Sequence, residues 1–106
     1  MSTTHVIVAE VDGRVVGMAQ LSVFQGEADL LKLFVDPLAL RGGIGSSLMG
    51  WSCDTAKRLG AKRLVIDADP HAAEFYRRMG ATDIGLIPSG SIPRRMLPQL
   101  VLDLRQ

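Results

Sequence analysis

The sequence predicts an α/β fold with α+β character, built on a mixed, partly parallel central sheet of about six strands and two main helices. Three observations carry the prediction. Strand-like segments flank Asp12-Gly13, a dipeptide that tolerates positive φ at both positions, so the chain opens on an antiparallel hairpin. An apolar run from Leu30 to Val35 gives way to glycines, a helix-spaced segment and a second apolar run at Leu64-Val65-Ile66. Strands joined through a helix in this way pair in parallel. A second helix and two closing strands complete the order ββ-β-α-β-α-ββ.

Taken in order, His5 to Val11 and Val15 to Phe24 form the hairpin, and Gln25-Gly26 marks the next turn. Leu30 to Val35 is nearly all apolar, which predicts a strand buried on both faces, ended by Asp36-Pro37. Ile44, Leu48, Ala56 and Leu59 fall close to helical spacing, and Lys57-Arg58 before Gly60 suits a helix C-terminus. Asp69 as N-cap with Pro70 at the first helical position starts a second helix that ends at Gly80. Asp83 to Ile87 and Leu97 to Leu104 are the closing strands, with Pro98 placing the last one at an edge or bulge.

The 106 residues fit one domain, residues 1–106, and the apolar fraction of 47% and charged fraction of 22% are those of a globular chain. Twelve basic and eleven acidic residues leave a net charge of +1, which offers no electrostatic footprint for nucleic acid. Any anionic ligand must be held locally. Cys53 lies within a helical pattern and reads as a buried, inert thiol, with a nucleophile as the alternative, and no metal-ligand spacing is present. No apolar run reaches the roughly 18 residues of a membrane span, and the first residues lack a signal-peptide pattern, so the expected address is cytoplasmic.

Leu33-Phe34-Val35-Asp36-Pro37 runs into Arg41-Gly42-Gly43-Ile44-Gly45-Ser46-Ser47-Leu48. Glycines let a backbone approach a ligand closely, and the first N–H groups of a helix attract phosphate. The bland alternative is a tight strand-to-helix turn. The stretch ends without the lysine of a Walker loop, and Leu48 stands where a dinucleotide fingerprint needs its third glycine.

Val35-Asp36-Pro37, Gly43-Ile44-Gly45-Ser46-Ser47-Leu48, Ala72 and Phe75-Tyr76-Arg77-Arg78-Met79-Gly80-Ala81, with the tail Pro88-Ser89-Gly90-Ser91-Ile92-Pro93, resemble the corresponding segments of GNAT N-acetyltransferases. The likeness spans roughly residues 6–104. It implies an acyl-CoA N-acyltransferase fold lacking the usual opening strand and helices. It also implies acetyl-CoA as cosubstrate, with pyrophosphate against Arg41, Gly42, Gly43, Ile44, Gly45 and Ser46, and pantetheine along Leu33, Phe34 and Val35. Ala72 and Phe75 would complete the cofactor wall. The family's loop begins with Gln or Arg where this chain has Leu40, so Arg41 is the nearest guanidinium.

By the same resemblance Tyr76 protonates the departing thiolate, while core packing is its structural alternative. A general base is not evident: Glu27, Asp29, His5 and His71 are the candidates, each with a solvated-surface alternative. The expected function is transfer of acetyl from acetyl-CoA to an amine by direct attack in a ternary complex. The alternatives are an acetyl-CoA-binding module without turnover, or a subunit whose pocket another chain completes. Arg94 and Arg95 lie in the loop between the last two strands, which in relatives can border the acceptor site; they would favour an acidic acceptor there, with a solvated charged loop as the alternative. A homodimer is expected to cover the sheet through the first hairpin and the last strand.

Overall fold

A computed structural model describes residues 3–90 and 92–105; Ser91 and the side chains of Leu40 and Arg41 lie outside the described set. β1 (Thr3–Val11) and β2 (Arg14–Phe24) form the expected hairpin, and Asp12 and Gly13 both take positive φ at its turn, 51° and 78°. Gln25 and Gly26 repeat that geometry at 49° and 80°, which starts β3 (Glu27–Val35) earlier than the apolar run suggests. A 3-10 turn over Pro37–Gly42 follows, then α1 (Ile44–Arg58), β4 (Arg63–Asp67), α2 (Ala73–Arg78), β5 (Thr82–Pro88) and β6 (Met96–Asp103).

The six strands make one sheet in the order β1-β2-β3-β4-β6-β5. Only β3 and β4 pair in parallel, as a strand-helix-strand unit requires. β6 therefore lies between β4 and β5, and the expectation of a marginal last strand is corrected: β1 and β5 are the edges. Pro98 is tolerated inside because it lies past Asp67↔Gln99, the last β4–β6 pair; its carbonyl accepts from the Ala68 N–H beyond that ladder, so its missing N–H interrupts nothing.

Both helices cover one face. Leu21, Val23, Ala28, Leu30, Leu64, Ile66 and Leu100 from the sheet share a core with Met49 and Ala56 of α1 and Ala73 and Tyr76 of α2. On the other face Val8, Met18 and Phe34 stand side by side in register across β1, β2 and β3. Phe34 is 56% exposed and Leu31 50%, so β3 is not buried on both faces: among the described residues no helix lies over this side. The second helix is also shorter than expected. Asp69 caps a turn, accepting from the His71 N–H at 2.8 Å, and its carbonyl accepts from the N–H groups of Ala72 and Ala73 before regular helix begins at Ala73.

Candidate functional site

The β3–β4 ladder holds from Glu27↔Arg63 to Leu30↔Ile66 and then stops. A bulge against β2 between Gln20 and Leu21 turns β3 at the same level. The edge of Leu31 to Val35 that faces β4 is thereby left out of the sheet's hydrogen bonding, and two clefts form at the divide.

The first cleft, about 500 Å³, is walled by Leu33 and Val35 of β3, Gly43, Gly45 and Ser46 at the start of α1, and His71, Ala72, Phe75, Tyr76 and Arg78 around α2. Asp36 ends β3 and caps the 3-10 turn, its Oδ1 accepting from the Leu38 N–H at 2.9 Å. Gly43 then reverses the chain at φ 72° and opens α1 without any side-chain cap, so the first N–H groups of the helix stay uncapped by side chains. Gly45 faces Phe75: a Cβ there would meet two ring carbons at 3.3 Å and Val35 Cγ2 at 3.7 Å. The glycine brings α1 against α2, and the cleft's apolar wall depends on that approach.

The second cleft, about 320 Å³, is lined by Leu30 through Phe34 of β3, by Ile66, Asp67 and Asp69, and by Ala72 and Tyr76. Leu33, Ala72 and Tyr76 belong to both clefts. The Tyr76 ring is buried edge-on to Phe75, centroids 5.3 Å apart at 71°. Its hydroxyl makes no hydrogen bond among the described residues, and no fully buried side-chain polar atom there lacks a partner, so the oxygen keeps some accessible surface. Burial pushes the phenol above its ordinary range and keeps it protonated at neutral pH.

Among the residues singled out in the sequence, Leu33, Val35, Gly43, Gly45, Ser46, Ala72, Phe75 and Tyr76 come together at the first cleft. Phe34 lines the second instead, while Gly42 and Ile44 flank a separate groove beside the first hairpin, with Val11, Asp12 and Arg14. Arg41's side chain is outside the described residues. Of the base candidates, Glu27 is ion-paired to Arg63 at 2.8 Å, and His5 bonds Thr3 on the outer strand. His71 lines the first cleft. Asp29 stands on β3 rather than in a turn, its carboxyl raised by burial and then by Glu27 and Asp67, against the lowering effect of Arg63. Cys53 is half-buried and its thiol is raised chiefly by burial, which leaves it unreactive.

Sequence reasoning missed Arg78, Asp67 and Lys32 as cleft residues. Arg78 carried a signal, a cation one turn from Phe75; Asp67 and Lys32 carried none, because only the divide between the strands makes them neighbours. Arg95, a candidate for favouring an acidic acceptor, instead pairs with Asp69 at 3.3 Å.

No curated protein matches the chain. Among solved structures it resembles an acetyltransferase from Bacillus cereus (TM-score 0.83, 20% identity, 96% of this chain and 74% of that one). It also resembles an aminoglycoside 6'-N-acetyltransferase complexed with coenzyme A (TM-score 0.84, 15% identity, 97% and 74%). The ribosomal-protein-S18-alanine N-acetyltransferase of Escherichia coli is a third (TM-score 0.79, 20% identity, 97% and 70%). The model of the acetyltransferase (GNAT) family matches residues 2–81, and with the fold and the divided strands it shows that the chain belongs to the GNAT acetyltransferase family.

Proposed function

We propose that the protein is an N-acetyltransferase that passes the acetyl group of acetyl-CoA directly to an amine while both are bound. The observation that carries this reading is the position of Tyr76 on the wall of both clefts, with a hydroxyl that is not fully buried and has no hydrogen-bond partner among the described residues. One cleft suits the acyl donor and the other the acceptor. The donor cleft fits coenzyme A on three counts. The β4-facing edge of Leu31 to Val35 is free to pair with the pantetheine amides, the N–H groups opening α1 face a pyrophosphate without a competing cap, and Arg78 adds a guanidinium to the same wall.

When bound, acetyl-CoA supplies the activated acyl group. The protein's part is to hold the thioester where the strands divide and to manage protons. As the carbon–nitrogen bond forms and the carbon–sulfur bond breaks, Tyr76 gives the proton of its hydroxyl to the sulfur. The acceptor nitrogen loses its proton to water in the second cleft, from which the phenol is reprotonated. Because burial raises the phenol, the acid form is the one present at neutral pH. The reading includes a homodimer, supported by the apolar row Val8, Met18 and Phe34 on the face no helix covers. Calorimetric titration with coenzyme A and a thiol-release screen over amines test the function: binding and amine-dependent thiol release are expected, and a chain that does neither refutes it.

A further inference from the structure

Resting on that reading, three charged side chains line the acceptor cleft: Lys32, Asp67 and Asp69. They are not equally available. Asp69 accepts from the His71 N–H through Oδ1 and from Arg95 through Oδ2, so both its oxygens are engaged and its charge is matched. Asp67 accepts at Oδ1 from the neutral amide of Gln99 at 2.9 Å and has no cation paired to it among the described residues. Its second oxygen is open, and its negative charge is felt by Asp29. Lys32 stands on the opposite wall, on β3, also without an ion pair among the described residues. The β4 wall of the cleft is thus the negative one. Arg94 and Arg95 do not reverse it, since Arg95 is spent on Asp69 and neither lines the cleft.

We propose that Asp67, positioned by Gln99, is the specificity-determining residue that receives the acceptor as an ammonium ion, so that the substrate is a cationic amine and not an acidic one. A carboxylate held by one hydrogen bond keeps its other oxygen directed toward an ammonium, with which it can make a charge-assisted hydrogen bond. After docking, the ammonium gives one proton to cleft water that exchanges with bulk solvent, and the neutral amine then attacks, its second proton leaving to water.

The test is a titration of the full chain, with and without coenzyme A, by putrescine and by pentanoate, followed through backbone amide chemical shifts. Putrescine is expected to move the amides of Asp67 and Ala68, and pentanoate to leave them in place. Asp67→Asn still accepts from Gln99 through its amide oxygen, so it removes charge while keeping the fold. It should weaken putrescine about tenfold or more, roughly 1.4 kcal/mol, with coenzyme A affinity unchanged. Asp67→Glu should recover part of the loss, and Gln99→Leu should weaken putrescine by a smaller factor. Equal putrescine affinity in wild type and Asp67→Asn overturns the proposal, as does absence of a putrescine response. A preference for pentanoate overturns it in favour of Lys32. A chain that shows the Asp67-dependent response but does not bind coenzyme A refutes the acetyl-transfer reading instead, which keeps the two failures apart.

Discussion

Replacing Tyr76 by phenylalanine removes one oxygen and leaves the rest of the residue's environment intact. The ring stays 6% exposed and edge-on to Phe75, and the hydroxyl leaves no hydrogen-bond partner behind. The stability change should therefore be at most about 1 kcal/mol, which in a domain of this size moves the melting midpoint by no more than roughly 4–8 °C. Turnover is affected differently, because in the proposed mechanism the lost atom belongs to the acid. General acid catalysis contributes about 10²–10⁴ in rate, equivalent to roughly 2.7–5.4 kcal/mol of barrier. The assay is thiol release on an amine accepted by the wild type, with coenzyme A affinity measured in parallel. A drop of that size in kcat with unchanged coenzyme A affinity is expected. Full turnover in Tyr76→Phe would refute the acid role and leave Tyr76 as a packing residue whose place on both clefts is incidental.

The same phenol predicts a stability limb. Its folded pKa lies above the unfolded value near 10, so the stabilisation is complete below that pH and is lost as pH rises through the raised pKa. Melting midpoints from pH 8 to 11 should fall at the alkaline end in wild type and stay flatter in Tyr76→Phe. Gly45→Val drives a side chain at the Phe75 ring, already 3.3 Å from a Cβ, so coenzyme A affinity should drop about tenfold or more by calorimetry, with a stability loss of about 1–3 kcal/mol from the overpacking. Gly43→Ala should lose stability alone, since its Cβ meets open space but φ of 72° costs about 1–2 kcal/mol; a coenzyme A affinity loss larger than the stability loss would contradict this division. Asp29→Asn should raise the melting midpoint at pH 7. The folded-state carboxyl is raised, so the native state loses stability as pH climbs through that pKa, and the advantage of the variant should vanish below about pH 4, where both states are protonated.

Local chemistry made the hairpin turn, the parallel unit and the glycine-opened helix legible, because each depends on residues a few positions apart. Asp12-Gly13 tolerates positive φ at both positions and takes it here, and Gln25-Gly26 takes the same geometry, although the polar Glu27 and Asp29 hid the strand that follows it. The errors were errors of context. An apolar run from Leu30 to Val35 reads as doubly buried only if something covers both faces, and Phe34 shows that one face is open. Pro98 reads as an edge signal only if the neighbouring strand runs alongside it, and β4 ends one pair short. The site divides in the same way. Gly43, Gly45, Phe75 and Tyr76 sit in a readable motif, whereas Asp67 meets Gln99 across 32 positions and Asp69 meets Arg95 across 26. No periodicity joins such pairs. What brings them to one cleft is the bulge between Gln20 and Leu21 and the end of the parallel ladder at Leu30↔Ile66. On the proposed reading, the donor half of the site is thus carried by local backbone geometry, which a motif preserves, and the acceptor half by side chains that the divided sheet assembles. A chain can keep the first while exchanging the second, so changes at positions 32, 67 and 99 should alter which amine is taken before they alter how the acyl donor is held.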